Sequence, residues 1–462
     1  MAAPNIPEKQ LRKVRDELNA VSSSFCLAKW LQVTIHLQNG QTHSCHHPPS
    51  HKVPLDRLKS DPSSLHNTEK KREARAQMLA GERPSECEYC WKIEDSNERN
   101  LSDRSIKSAQ PWALPRFDEI KSLPADTKVQ PSYVEVSFGS ECNLRCAYCA
   151  PNISSAIMQE LKTFGPYSSG ASLDSLEESG LMPLAKEVHN PYVEAFWDWW
   201  PQLSKKLKVF RITGGEPLLN ENTFRFLENL KLHPMPDLTL AINSNLSVPP
   251  ATFRRFLDEI RHITENNLVK EFQLFTSVDT HDKAAEFVRF GLNYQGLMQN
   301  VRTYLNEIPD CELIFMTTYN ALSVINFHQF LADVTELKTN FVDKDKKTRV
   351  TLDIPYLKEP SFLSCYILPV SYQSYMDHDL EYLRKNTKTK DGIEIYYESE
   401  ISKFERIMEL FKSYEESEHR NNTRREFATF LKEYESRKAI NSKDYIPEYS
   451  DFILECSKLL QT

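Results

Sequence analysis

The sequence predicts an α/β fold: a parallel sheet with crossover helices, preceded by a small cysteine-rich unit and followed by a mostly helical extension. Three observations carry the prediction. Between residues 132 and 360, six apolar strand-like stretches alternate with amphipathic helical ones, the pattern of strands joined by crossover helices. Four of the ten cysteines fall in the first hundred residues, and three more lie within eight positions. From about residue 375 the chain is rich in Glu, Lys, Arg and Tyr at helical spacing.

The elements follow in order. WLQVTIHLQNGQTHSC alternates apolar and polar residues and turns at Asn39-Gly40, a hairpin signal. TEKKREARAQMLAGERP reads as a helix stopped by Gly81 and Pro84. Residues 96–131 read as a linker wrapped over the surface. The strands are SYVEVSF, LKVFRIT, DLTLAINSN, EFQLFTSVD, CELIFMTTYN and RVTLDIPYL, with helices such as NTFRFLENLKL, PATFRRFLDEIRHI and VINFHQFLADVTEL between them. The 153–200 insertion is long for a strand-to-helix connection. In it, Asn190-Pro191 provides a cap and the first helical residue, and Phe196, Trp199, Trp200 and Leu203 recur as a core stripe, or else an aromatic platform for substrate. The expected organisation is 1–100 cysteine-rich unit, 101–131 linker, 132–360 parallel sheet with crossover helices and 361–462 helical extension. Charge in the extension reads as a solvated helix face or a docking surface for a partner.

Composition sets bounds. The chain has 462 residues, 40% hydrophobic and 26% charged, with a net charge of −8. That charge gives no bulk attraction to nucleic acid, and leaves only a local basic groove open to it. No run reaches the roughly 18 apolar residues of a membrane span. The N-terminus lacks the apolar core of a secretory signal, so a reducing cytoplasmic setting is expected. There, clustered cysteines point to metal or redox chemistry.

The strongest cluster is GSECNLRCAYCA, with Cys142, Cys146 and Cys149 after a predicted strand. Ligands bind at the carboxyl ends of strands in such sheets, and ITGGEP, the asparagine pair and SVD fall at the next ends. Thiolates are soft ligands for zinc or iron–sulfur clusters. Structural zinc wants four ligands; three thiolates on a four-iron cube leave one iron open to a substrate or cofactor.

CNLRCAYC after one strand and ITGGEPLL after the next resemble the radical S-adenosylmethionine (SAM) superfamily. The resemblance implies a partial (β/α)6 barrel and a [4Fe–4S] cluster on Cys142, Cys146 and Cys149. Its open iron would bind SAM and pass it the electron that yields a 5′-deoxyadenosyl radical. Tyr148 takes the family's aromatic position. Gly214 and Gly215 would let backbone approach the cofactor, Glu216 would accept from its ammonium, and Asn243, Asn245, Ser277 and Asp279 resemble positions that contact ribose or carboxylate. Thr317 and Thr318 would line the adenine or carboxylate side. A flavodoxin- or ferredoxin-type donor would supply electrons.

Cys26, Cys45, Cys87 and Cys90 flank the predicted hairpin and follow the helix. Their layout resembles the twitch or SPASM auxiliary-cluster modules of the same enzymes, here before the barrel instead of after it. Four thiolates suffice for one closed auxiliary [4Fe–4S] cluster, with structural zinc as the alternative. His43, His46 and His47 are substitute ligands or lie outside the ligand set. Cys311, Cys365 and Cys456 read as buried thiols, and Cys365 as the candidate for hydrogen donation to a product radical. The expected substrate is a peptide or protein side chain. The alternatives are a nucleotide or small metabolite, or a metal-stabilised binding protein without catalysis.

Overall fold

The computed structural model describes residues 6–97, 99–170, 173–185, 189–413 and 418–461. Its centre is a nine-stranded sheet. In chain order the strands are β1 (Gln32–His36), β2 (Gln41–His43), β3 (His51–Lys52), β4 (Tyr133–Ser137), β5 (Val209–Thr213), β6 (Met235–Ser244), β7 (Val269–Ser277), β8 (Glu312–Met316) and β9 (Val350–Asp353). The spatial order is β9-β8-β7-β6-β5-β4-β1-β2-β3. The six strands expected from the sequence, β4 to β9, pair in parallel with each neighbour next in sequence. The sheet does not close on itself, so this is a partial barrel.

Alternation along the strands builds two different faces. Val134 and Val136, Phe210 and Ile212, Leu240 and Ile242 are fully buried on the outer face. Helices Glu221–Leu232, Pro250–Glu265, Tyr294–Glu307 and Phe327–Asn340 pack there with their own apolar stripes. The inner face is largely polar. Arg211 Nε donates to Asn243 Oδ1 at 2.9 Å, and Gln273 Nε2 donates to Glu271 and Glu312 at 2.8 and 3.0 Å. Ala241, Phe275 and Ile314, with Met316 packed against them, make a small apolar patch inside.

The N-terminal hairpin does not stand apart from this sheet. β1 pairs in parallel with β4, Val33 beside Val134 and Ile35 beside Val136, and β2 turns back antiparallel on β1. The helix Glu69–Leu79 is capped by Thr68, whose hydroxyl accepts from Lys71 N, and ends before Gly81. Residues expected to form a surface linker are built into the fold: helices Asp103–Ser108 and Phe117–Lys121 bury Arg104, Ser105 and Ile120, and Trp112 packs against Tyr133 at 5.4 Å. The driving force is apolar area removed from water; Trp112 and Ala113 join Phe25, Trp30, Cys87 and Cys90 in one core.

In the insertion, Asn190 caps helix Pro191–Leu203 by accepting from Tyr192 N and Val193 N. Phe196, Trp199, Trp200 and Leu203 are core, as the simpler reading of the stripe expects. The C-terminal helices are packed rather than merely solvated. Lys338 Nζ meets the Glu400 carboxylate at 2.6 Å in a wholly buried pair, and Tyr434 Oη donates to Phe287 O at 2.7 Å. Among the described residues no helix is long and apolar enough to cross a membrane.

Trp199 ties the insertion to the N-terminal region, with its indole N–H donating to Gln130 Oε1 at 2.9 Å. Trp199→Ala leaves a cavity and strands that amide oxygen, and is expected to cost about 3–5 kcal/mol. Urea unfolding of the two proteins measures the difference.

Candidate active site

The loop after β4 carries three cysteines and has little regular structure of its own, so neighbours must fix it. Two glycines after β5 do so first. Gly214 has a φ of +129°, and a Cβ at Gly215 would lie 2.3 Å from Glu141 O and 2.7 Å from Ser140 O. Only glycine permits that approach, and Glu216 N then donates to Glu141 O at 2.6 Å. In the middle, Cys142 N donates to Ser155 Oγ at 3.1 Å and Asn143 Nδ2 to Ser247 O at 2.8 Å. At the far end, Arg145–Cys146 pairs antiparallel with Arg289–Phe290, and Ala147 N donates to Val288 O at 2.8 Å.

The outcome is one cavity of 240 Å³ whose wall holds Cys142, Cys146 and Cys149. Tyr148, Gly214, Gly215, Asn243, Asn245, Ser277 and Thr318 border it too. Burial raises the Cys142 thiol, pushes Cys146 to about 11, and raises Cys149 further. Such thiols are inert until a metal displaces their protons.

Three residues expected at the cofactor are turned elsewhere. Glu216 is buried, and its carboxylate accepts from Leu218 N at 3.0 Å, Ser244 Oγ at 2.8 Å and Asn245 N at 2.6 Å. It braces two loops instead of facing the cavity, and burial pushes it up to about 7. Asp279 is fully buried. Arg289 donates to both its oxygens at 2.9 Å, Tyr148 Oη lies 2.8 and 3.0 Å from them, and Thr318 N donates at 3.0 Å. Its charge is spent on Arg289. Thr317 is buried with its N–H donating to Asp353 O at 2.8 Å, while Thr318 reaches the cavity. Cys365 also lies apart from the cavity. It is wholly buried and pushed up to about 12 by burial. Cys311 and Cys456 are buried as expected.

Arg289 is the residue that sequence reasoning missed. Besides its ion pair, it donates to the Cys146 sulfur at 3.8 Å, so a cation stands beside the Cys146 thiol. One Arg in FVRFGLN carries no signal by itself; only the fold brings it to residue 146.

The four N-terminal cysteines converge as well. Cys26, Cys45, Cys87 and Cys90 line one small cavity with Lys29, Arg104 and Lys107. Lys29 is buried; desolvation alone would lower it, but Cys87 and Glu86 hold it raised. Each cation has a carboxylate partner: Lys29 pairs with Glu86, Arg104 with Glu94, and Lys107 with Asp103, which also lines the cavity. His47 is spent on Asp103 at 2.8 Å, His46 is exposed, and His43 Nδ1 meets Cys45 O at 2.5 Å. Zinc–sulfur bonds of 2.3 Å would gather tetrahedral thiolates to about 3.8 Å of one another. Among the described residues, the sets of three or more ligating atoms all within 4.8 Å contain no cysteine. Four thiols are the ligand number of either a structural zinc ion or a closed four-iron cube.

The sites lie at opposite ends of β1 and β4. Cys142 follows the carboxyl end of β4, whereas Cys26 precedes β1 and Cys45 leaves β2 beside the amino end of β1. Five residues of strand separate the two levels, roughly 16 Å. The inner face carries a polar row between them: Asn243, Arg211, Glu135 at 3.9 Å from Arg211, then His36 and His43 with ring nitrogens 3.4 Å apart.

No family model matches the chain. Its curated relatives include two proteins named GTP 3',8-cyclase, from Nitrobacter winogradskyi (29% identical, over 35% of this chain and 37% of the relative) and Campylobacter lari (24% identical, over 52% and 64%). The matches thus span less than two thirds of those relatives' lengths. Two solved structures are distant neighbours. Native anSMEcpe with bound AdoMet covers 56% of this chain and 61% of its own (TM-score 0.34, 15% identity). Streptococcus suis SuiB bound to S-adenosylmethionine covers 78% and 70% (TM-score 0.36, 11% identity).

Removing one partner of a buried ion pair strands the other charge, at about 3–5 kcal/mol. Arg289→Met is therefore expected to lose that much stability and to retain less iron, while Arg289→Met combined with Asp279→Asn recovers most of the stability but not the iron. Denaturant titration under anoxia and iron per chain measure both.

Proposed function

We propose that this chain, a member of the radical SAM superfamily by its motif pair, its partial barrel and its sequence relatives, cleaves SAM reductively. The resulting 5′-deoxyadenosyl radical then removes a hydrogen atom from a peptide or protein side chain. One observation carries the reading. Three thiols converge on a single cavity whose described wall holds no fourth cysteine and no histidine. A [4Fe–4S] cluster held by Cys142, Cys146 and Cys149 would keep one iron for SAM and supply the electron that breaks its carbon–sulfur bond.

The chain's own groups do the positioning. Arg289 places a permanent positive charge beside Cys146 and favours its thiolate. Gly214 and Gly215 leave the floor of the cavity without side chains, so their backbone is open to a ligand. Asn243, Asn245 and Ser277 offer amides and a hydroxyl for ribose and carboxylate. Asn243 is held by Arg211, and Asn245 Nδ2 donates to Asn143 Oδ1 at 2.9 Å, so both are oriented before a ligand arrives. Glu216 and Asp279 keep the loops in place behind them.

The N-terminal cysteines would hold an auxiliary [4Fe–4S] cluster of the twitch type, supported by their spacing and by their convergence on one small cavity. At the opposite end of the β1–β4 pair, it is suited to accept the second electron of a substrate oxidation. A flavodoxin- or ferredoxin-type protein would deliver the first electron to the cavity cluster.

The substrate class rests on charge. A cleft of 810 Å³ shares Gly139, Ser140 and Glu141 with the cysteine loop, and mixes Lys162 and Arg225 with Glu194 and Asp198. The inner face offers Arg211, partly offset by Glu135. A triphosphate wants an excess of cations, whereas mixed charge suits a peptide. The second reading, a nucleotide substrate, is favoured by the GTP 3',8-cyclase relatives.

Anaerobic reconstitution is expected to give about eight irons per chain, falling to about four in Cys26→Ser with Cys87→Ser. Dithionite and SAM should release 5′-deoxyadenosine, and Cys146→Ala should release none. Wild-type protein that carries the reduced cluster yet releases none would sink the catalytic reading. Four irons with bound zinc would replace the auxiliary cluster by a structural site. Stimulation of 5′-deoxyadenosine release by GTP and not by peptide pools would select the nucleotide.

A further inference from the structure

One group of ligating side chains lies outside both cysteine sites. His328 stands on helix Phe327–Asn340, which follows β8; His378 and Asp379 stand on helix Gln373–Lys385, in the C-terminal extension. One ligating atom from each lies within 4.8 Å of the other two. The imidazoles stack with centroids 4.1 Å apart, and Tyr382 packs edge-on against His328 at 4.7 Å.

Asp379 is what demands an explanation. Its side chain is only 1% exposed, yet neither carboxylate oxygen has a hydrogen-bond partner. Buried carboxylates are normally hydrogen-bonded, paired or bound to metal. His328 Nδ1 comes within 3.3 Å of Asp379 Oδ1, but it too is buried without a hydrogen bond. Two atoms this close and not aligned for a shared proton are disposed to meet a third atom. Zinc bonds of about 2.0–2.2 Å to nitrogen and oxygen, arranged tetrahedrally, put ligand atoms about 3.3–3.5 Å apart, the spacing of His328 Nδ1 and Asp379 Oδ1 at 3.3 Å. Tyr319 Oη, also buried without a partner, lies close enough to feel the Asp379 charge.

We propose that His328, His378 and Asp379 bind a zinc-class divalent cation, with water completing the coordination on the exposed side of His378. Two imidazoles and one carboxylate suit zinc better than magnesium or calcium, which take oxygen ligands. The site would be a clip. One ligand comes from the barrel and two from the extension, so the ion fixes the first C-terminal helix against the sheet. None of the three borders the cysteine cavity, so the clip is independent of the cluster chemistry.

The test uses the anaerobically reconstituted full chain, so that iron occupies the thiols, with zinc chloride as the probe. Competition against a chromophoric chelator gives affinity and stoichiometry, and a thermal melt gives the coupling to folding. Wild type is expected to take one zinc per chain and to melt at a higher temperature with it. His378→Ala, a change at an exposed position, should weaken zinc by roughly tenfold or more and lose the thermal shift. Asp379→Asn should be as stable as wild type or more so without zinc, and unresponsive to it. The proposal is overturned if wild type takes no zinc, if both variants respond as wild type does, or if zinc binds only when the clusters are absent.

Discussion

Everything at the cavity depends on one constraint. A short loop must turn three sulfurs inward, and little beyond the bond from Cys149 N to Cys146 O holds it from within. The structure supplies the remaining hydrogen bonds from outside. Gly214 and Gly215 let the β5 loop lie against the backbone of residues 140–141, and residues 288–290 pair with residues 145–147. Behind the loop, the Arg289–Asp279 ion pair locks Tyr148 and Thr318 N into one buried network. A buried pair of this kind need not add net stability. What it does is fix register: Tyr148 lies between Cys146 and Cys149, so holding its hydroxyl on Asp279 sets the positions of both.

The same sheet presents a second thiol site at its other end. β1 extends the barrel sheet beyond β4, and the hairpin returns Cys45 to the level of Cys26. The second thiol site is therefore built on the barrel sheet itself and shares its rigidity. Between the sites, the polar inner face from Asn243 through Arg211 and Glu135 to His36 and His43 offers hydrogen bonds without a strong net charge. Burial pushes His43 down to about 4 and lowers His36, so near neutral pH that end of the row is uncharged.

The six parallel strands were readable in the sequence because their outward-facing residues recur as apolar side chains in short stretches, set off by helices of different period. The cysteine motif was readable because its ligands lie within eight residues. What escaped was long-range. Pairing of β1 with β4 joins segments about a hundred residues apart, and local pattern carries no record of it. Glu216 and Asp279 look alike in sequence, as carboxylates at strand ends, and only the placement of Ser244, Asn245 and Arg289 shows that both face inward. Arg289 itself is a single cation in an apolar run. Charge in the C-terminal extension looked solvated, yet Glu400 is buried against Lys338, since an ion pair satisfies in the interior what water satisfies outside.

The central claim is that Cys142, Cys146 and Cys149 hold an iron–sulfur cluster with a vacant iron that takes the amino and carboxylate groups of SAM. Electron-nuclear double resonance of the reduced protein, with SAM carrying ¹⁵N or ¹⁷O in its methionine part, tests it most directly. Coupling of the labelled nuclei to the cluster, lost in Cys146→Ala, is the result this account predicts. A cluster signal indifferent to SAM, with no such coupling, would contradict it.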